Sequence, residues 1–138
     1  MALSADRDTL VRDADREELP VAASTLIYAG AAVAKDAAGN ANDAANTSGL
    51  KFRGVARARA DNSAGDAGDV RVKVKKVAAA RWACSGFAAG DLGADVYFSD
   101  DQTVTKSSGH CYAGKVLEVV SATVVWVDHR PAYALSEA

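Results

Sequence analysis

Val70-Arg71-Val72-Lys73-Val74-Lys75 is the stretch of this sequence with the clearest structural signal. Valine and basic residues alternate strictly, and successive side chains of a β-strand point to opposite faces of the sheet. The stretch therefore predicts a strand with a buried valine face and an exposed basic face. Elsewhere, too, the large apolar residues are mostly valine, with few Leu, Ile and Phe, and this composition favours β structure.

Short strand-like segments and turns fill the chain on both sides of this strand. The strand candidates are 25–28, 52–60, 81–84, a hairpin of 95–98 with 103–105, and a second hairpin of 114–120 with 123–127. The small, polar segments 37–49 and 61–66 are typical of loops and turns. We expect an all-β fold: a small β-barrel or β-sandwich of short antiparallel strands.

A faint internal duplication links the two halves of the chain. Three pieces recur in the same order: Gly30-Ala31-Ala32-Val33 as Gly93-Ala94-Asp95-Val96, Gly54-Val55-Ala56 as Gly114-Lys115-Val116, and 70–74 as 124–127. The spacings between the pieces differ, so chance similarity is the alternative. A structural repeat would predict two similar β-meanders that pack face to face or close into a barrel.

The two ends of the chain differ from its middle. Residues 1–20 are acidic and end at Pro20. Leu3, Leu10, Val11 and Ala14 have a spacing that could place them on one face of a helix, although the abundant Asp disfavours a helix interior. We expect a flexible or partly helical N-terminal arm at 1–20. A partner could order this arm, and the alternative is a terminus that stays solvated. A β-rich domain at 21–128 and a C-terminal tail at 129–138 complete the predicted organisation.

Bulk composition disfavours several classes of protein. The chain has 138 residues and a net charge of -2, which suits one domain and provides no overall basic field for nucleic acid or an acidic membrane. Its apolar runs are shorter than the roughly 20 residues that span a bilayer, and acids stand where a signal peptide needs a basic flank. We expect a protein made in the cytoplasm, with Cys84 and Cys111 either buried as free thiols or paired with each other.

Residues that commonly carry catalysis or bind metals are sparse. The histidines are His110 and His129, and no CxxC, HxxxH or HExxH spacing occurs. The four acids between 91 and 101 lack the spacing of a calcium loop and are more typical of turns. We therefore expect no enzyme activity, no metal site and no cofactor, with buried thiols and surface imidazoles.

Two groups of side chains are candidates for protein contacts. Basic residues form the first group, which suits either an acidic protein surface or solvent: Arg57, Arg59, Arg71, Lys73 and Lys75. Proteins that bind nucleic acid usually interleave aromatic residues with their basic residues. Here the neighbours of the basic residues are alanine and valine, so we expect no nucleic-acid partner. Apolar residues of the arm form the second group: Leu3, Leu10, Val11 and Leu19.

From about residue 26 to 127, the chain resembles the capsid cement, or head decoration, proteins of tailed bacteriophages. The resemblance lies in the order and spacing of short pieces: 30–33, Phe52-Arg53-Gly54-Val55-Ala56, the Gly-Asp turn before 70–74, 89–97, Ser99-Asp100-Asp101, 103–105, 114–116 and 124–127. The charged N-terminus, the basic central strand and the C-terminal tail depart from the family pattern, which leaves the mode of attachment open.

The resemblance implies a β-barrel or sandwich that binds the exterior of an assembled head, commonly as homotrimers at local three-fold positions. It implies the major capsid protein as partner, a location in the virion, and a stabilising role through bridging of neighbouring capsid subunits. It brings no catalytic residues. The alternatives are a tail or baseplate β-module, or a β-module that binds sugar or oligonucleotide through Trp82, Tyr97, Tyr112 or Trp126.

Overall fold

Strands form most of the regular structure in the computed structural model, which describes residues 2, 4–12 and 14–137. Within these residues the elements are β1 (Arg16–Pro20), β2 (Thr25–Ile27), β3 (Ala32–Lys35), β4 (Ala41–Asp43), β5 (Lys51–Ala56), β6 (Ala60–Asn62), β7 (Arg71–Lys75), β8 (Ala79–Ala83), a 3-10 turn (Ala89–Asp91), β9 (Asp95–Phe98), β10 (Val104–Thr105), β11 (Tyr112–Ser121), β12 (Val124–Asp128) and helix α1 (Arg130–Ser136). The strands pair antiparallel in three sheets. The predicted all-β fold is confirmed.

Strand β7 has the two faces that its sequence predicts. Val72 and Val74 are buried, whereas Arg71, Lys73 and Lys75 are exposed. The strand lies between β1 and β5, so its valines join the core while its basic side chains point outward.

The two large sheets share one topology, which confirms the internal duplication. One sheet has the order β1-β7-β5-β3-β4, and the other has the order β8-β12-β11-β9-β10 when read from the equivalent edge. When only the five strands of each sheet are numbered in chain order, both sheets have the order first, fifth, fourth, second, third. We call residues 16–78 the first half and residues 79–128 the second half.

Individual backbone hydrogen bonds also repeat between the halves. Three pairs of N–H to carbonyl bonds correspond: Val21 to Val70 (2.9 Å) with Cys84 to Thr123 (3.0 Å), Lys76 to Asp15 (2.7 Å) with His129 to Ala78 (2.9 Å), and Gly30 to Ala56 (2.9 Å) with Gly93 to Val116 (2.9 Å). The sequence pieces that suggested the duplication therefore occupy equivalent positions in the fold.

A glycine bulge occurs at the same place in both halves. The register shifts beside Gly54 where β5 pairs with β3, and beside Gly114 where β11 pairs with β9. Both residues have positive φ, 145° and 128°, and a Cβ on either would overlap the carbonyl oxygen that ends the neighbouring strand, that of Lys75 or Asp128. Only glycine fits so close a backbone approach at such a φ.

Within the described residues, the halves differ in strands β2 and β6, which only the first half contains. In the first half, the segment before Gly30 is strand β2, which pairs with β6 after the end of β5. In the second half, the corresponding segment before Gly93 contains the 3-10 turn, and β11 continues to Ser121 in a long hairpin with β12.

Two apolar cores lie on opposite faces of strand β3. Val33 belongs to a core enclosed by the first sheet together with β2 and β6. Ala32, Ala34 and Phe52 face the other way, into a larger core shared with the second sheet and α1. One parallel bridge joins the edge strands of each sheet, Val21 with Ala41 and Ala83 with Thr103, without closing a barrel.

Three segments differ from the sequence-based expectations. Residues 16–20, expected in the arm, form β1, because Leu19 pairs opposite Val72 and packs against the first core. Residues 41–43, expected in a loop, form β4, which pairs with β3. Residues 130–136, expected in a patternless tail, form α1, whose Ala132 and Tyr133 are buried; Pro131 is tolerated in the first turn of a helix.

Candidate protein-contact surfaces

Among its described residues, the N-terminal arm exposes two large apolar side chains, Leu10 and Val11. Its described residues before β1 contain no helix or strand, and the side chains of Leu10 and Val11 are 93% and 89% exposed. Leu3, a third predicted contact residue, lies outside the described residues. Leu19 is half-buried in β1 and packs against the core, so it differs in setting from Leu10 and Val11. The arm available for contacts is therefore the part before β1.

The exposed basic side chains of β7, Arg71, Lys73 and Lys75, form a second surface, which we call the basic face. Arg71 is partly engaged, because its Nη2 donates to the backbone oxygen of Glu18 (2.9 Å). Lys73 lies opposite Glu18 in the strand register, and neither Lys73 nor Lys75 makes an ion pair within the described chain. Exposed basic side chains without ion-pair partners are suited to a contact with an acidic protein surface.

The two arginines that follow β5 lie in different settings. The Arg57 N–H donates to the Lys73 carbonyl oxygen (2.8 Å), which brings Arg57 to the side of β7. Arg59 lies over the ring of Tyr28, with its guanidinium carbon 5.4 Å from the ring centroid. The backbone therefore joins Arg57 to the basic face, while Arg59 is engaged by an aromatic ring.

Charge is distributed unequally between the duplicated halves. Residues 16–78 contain ten basic and seven acidic residues, a formal net charge of +3. Residues 79–128 contain three basic and six acidic residues, a formal net charge of -3. Two halves of one topology thus present opposite net charge.

His129 is buried at the centre of an aromatic cluster, so the expectation of a surface imidazole is wrong for this residue. Its ring contacts Phe52, with centroids 4.5 Å apart. Its Nε2 accepts from the Trp82 indole N–H (2.9 Å), and its Nδ1 donates to the Ala113 carbonyl oxygen (2.6 Å). Burial lowers the pKa of His129 to about 4. The imidazole is a neutral structural link, because both of its nitrogens are engaged.

Asp43 is a carboxylate held where the two halves meet. Burial and the neighbouring charge of Asp101 raise the pKa of Asp43 to about 6. Its Oδ1 is buried without a hydrogen-bond partner in the described residues. Asp101 belongs to the loop between β9 and β10, and its carbonyl oxygen accepts from the Ala32 N–H (2.9 Å) of the first half. The pair therefore destabilises the junction when both carboxylates are charged.

The cysteines and the acids between 91 and 101 have structural roles. Cys84 and Cys111 are buried free thiols, and burial raises the pKa of Cys111 to about 12. Carboxylates of Asp91 and Asp100 accept from the backbone N–H groups of Ala88 (2.8 Å) and Gln102 (2.9 Å), which is turn chemistry. Among the described residues no group of three or more His, Cys, Asp or Glu is placed to hold a metal ion.

The four aromatic residues considered for ligand binding are engaged in separate places. Trp82 is buried in the core, and Trp126 lies under the Arg81 guanidinium, whose carbon is 5.9 Å from the Trp126 ring centroid. Tyr97 and Tyr112 contact each other, with centroids 5.4 Å apart, and the Tyr112 hydroxyl donates to Asp95 (2.6 Å). This arrangement does not assemble one stacking platform.

One apolar surface was missed by sequence reasoning. Leu117 and Val120 on β11 are 51% and 48% exposed, and Leu92, beside the start of this strand segment, is 63% exposed. Val119 and Val120 are adjacent apolar residues, so the strict alternation of a one-sided strand fails there. That break in the pattern is the sequence signal that could have identified the surface. We call residues 117–121 with Leu92 the β11 edge.

No helix within the described residues is long and apolar enough to cross a membrane. Comparison of the chain with protein-family models, with curated proteins and with solved structures finds no match.

Proposed function

We propose that this protein is a structural decoration, or cement, protein of a bacteriophage head. It binds the exterior of the shell, stabilises the expanded form by bridging neighbouring major capsid subunits, and makes or breaks no covalent bond. The order of its sequence pieces from about 26 to 127 resembles that family, and the all-β fold is compatible with it.

The observation that carries this proposal is the exposed arm. Leu10 and Val11 leave almost their whole side chains in water, a cost that a contact would relieve by roughly 1.5–3 kcal/mol per buried side chain. An arm that orders only on a partner loses chain entropy on binding, and many copies on one shell offset that loss through multivalency. A rigid β scaffold with a free apolar arm suits such attachment.

Removal of the arm should leave the fold intact and weaken head binding at least about tenfold. The truncation should delete residues 2–12 and keep β1, since loss of Leu19 would open the first core. Tenfold corresponds to about 1.4 kcal/mol, less than the burial of one such side chain provides. Occupancy on bare expanded heads, measured by co-sedimentation, reports binding, and the thermal midpoint reports folding.

A matched substitution pair controls for chain length in this experiment. Leu10→Ser with Val11→Ser should reproduce the loss, whereas Ala2→Ser with Ala5→Ser should not, because it leaves the large apolar side chains in place. Equal occupancy of all variants on heads would contradict the role of the arm, whereas attachment of the protein to tails alone would contradict the proposal.

Charge reversal of the basic face should weaken head binding in a salt-dependent way. Lys73→Glu with Lys75→Glu is expected to lower affinity about tenfold at low salt and to have little effect near 1 M salt, where the Debye length is about 3 Å. Lys51→Glu, at the opposite end of β5 from the basic face, is the control. Binding that ignores this reversal at every salt concentration would assign the basic face to solvent.

A further inference from the structure

We propose that the arm of one copy adds as a β-strand to the β11 edge of a second copy. The inference rests on the proposed function in treating the arm as a contact segment. It assigns residues 9–11 to a neighbouring copy, so that these residues support head binding by joining copies on the shell. It is carried by a comparison of the two duplicated halves.

The β11 edge has unpaired backbone. Strand β9 pairs with β11 at residues 112–115 only, and the backbone of Gly93 and Ala94 bonds to Val116. Beyond Val116, residues 117–121 pair with β12 on one side, and in the described part of the chain they have no strand on the other. Exposed unpaired backbone beside exposed apolar side chains is the usual template for strand addition.

The first half shows which kind of strand fits this place. There, the corresponding position after β5 is occupied by β6, and β2 pairs with it antiparallel. Ile27 of β2 lies opposite Ala60, and both are buried in the first core. By residue count, the corresponding residue of the second half is Val120, because Ala56 and Val116 are equivalent and Ala60 and Val120 each follow by four residues; bulges of β11 lie beside Leu117 and Val120. Val120 is half exposed and lacks the residue that covers Ala60.

The arm contains a segment that matches β2. Thr9-Leu10-Val11 has the same pattern as Thr25-Leu26-Ile27, a threonine followed by leucine and a β-branched residue. Transfer of the β2 register to the second half places Val11 opposite Val120 and Leu10 opposite Ser121. This contact would cover Val11 together with Val120, and it would place Leu10 on the other face of the added strand.

The charges of the two halves, rather than the charge of the arm, favour a second copy as the source of the arm, since residues 1–15 have a formal net charge of -2. The arm leaves the first half, where Asp15 accepts from the Lys76 N–H, and that half has a net charge of +3. The β11 edge belongs to the half with a net charge of -3. A contact that brings the first half of the donor to the second half of the acceptor is electrostatically favourable and head-to-tail. Head-to-tail contacts form rings such as trimers when the rotation between copies closes, and open filaments when it does not.

Disulfide trapping between two single variants tests the register and the partner together. A mixture of a Val11→Cys chain and a Val120→Cys chain should form a covalent heterodimer under mild oxidation, at least about tenfold faster than a mixture of Val11→Cys with Leu135→Cys. Leu135 is as exposed as Val120 but lies on α1. Cys84 and Cys111 are buried, and the unmodified chain measures their background.

A proline pair tests for backbone pairing. Leu10→Pro should abolish the trapped heterodimer and the self-association of the native chain in sedimentation up to about 1 mM, because proline removes an N–H from the added strand. Ala5→Pro, outside the matched segment, should leave both unchanged. Trapping equal to that of the Leu135→Cys mixture would overturn the inference. So would a Val11→Cys, Val120→Cys double variant that closes only within one chain.

These assays use the purified protein alone, so they are separate from head binding. A protein that binds heads through its arm but shows no trapping retains the proposed function and loses this inference. Trapping without any binding to heads or other virion parts would support this inference and contradict the proposed function.

Discussion

Replacement of Gly114 by alanine should lower the free energy of unfolding by at least about 3 kcal/mol. The added Cβ would overlap the Asp128 carbonyl oxygen and lie 3.0 Å from the Asp128 carbonyl carbon, and φ at this residue is 128°. Overpacking and an unfavourable φ each cost about 1–3 kcal/mol, and here the obstacle is backbone, which cannot rotate away. The midpoint of urea unfolding measures the loss, with far-UV circular dichroism as the test for folding if the variant is too unstable to titrate.

Two further glycines make this prediction specific. Gly54→Ala should have a similar effect, because the equivalent bulge in the first half places its Cβ against the Lys75 carbonyl oxygen and 2.8 Å from Val74 Cγ1. Gly90→Ala meets nothing within 4 Å and should stay within about 0.5 kcal/mol of the native chain. Equal midpoints for Gly114→Ala and Gly90→Ala would falsify the bulge geometry.

Acidification from pH 6.5 to 4 should remove about 3 kcal/mol of stability through His129. The unfolded imidazole takes up a proton near pH 6.5, whereas the folded one does so near pH 4, because burial and the Trp82 N–H favour the neutral ring. The contribution is therefore complete above pH 6.5 and is lost as the pH falls toward 4. Proton uptake near pH 4 rather than pH 6.5, at about 1.4 kcal/mol for each pH unit, gives the magnitude. Urea titrations across this pH range measure it.

Asp43 acts in the opposite direction, so the experiment should use an Asp43→Asn background. Its raised folded pKa means that its destabilisation is absent below pH 3.8 and grows as the pH rises toward 6. In that background, His129→Leu should lose the pH dependence and fall by about 2–4 kcal/mol at pH 7, since Trp82 and Ala113 lose their partner. Trp82→Phe should lose stability but retain most of the slope. Parallel pH profiles with and without His129 would contradict this assignment.

Local patterns in the sequence were sufficient for the strands and for their repetition. Strict alternation placed Val72 and Val74 inside, because a two-residue period has only one way to bury a single face. The glycine pieces at 30, 54, 93 and 114 revealed the duplication because each glycine occupies a position where φ is positive. Positions with positive φ strongly favour glycine, whereas the exposed positions between them accept many residue types.

Features that depend on distant partners were not predictable in this way. The arm boundary was set too late, because residues 16–20 become a strand only when β7 lies alongside them. Helix α1 is not predicted by its sequence, since seven residues show little periodicity. The contacts of Tyr133 with the core stabilise this helix. His129 was expected on the surface because its partners, Trp82 and Ala113, are far away in sequence. The free side of the β11 edge depends on where β9 stops pairing with β11, which the sequence of β11 alone does not show.

Arg53 brings the two ends of the domain to one corner. Its Nε donates to Glu17 Oε2 (3.1 Å) at the base of the arm, and its Nη1 donates to Ser136 Oγ (3.1 Å) at the end of α1. A fluorophore or gold cluster attached after residue 137 would therefore sit beside the point where the arm leaves the domain. Such a reporter would mark the corner from which the arm leaves the domain, whereas one in the exposed loop at 107–108 would mark a site in the second half.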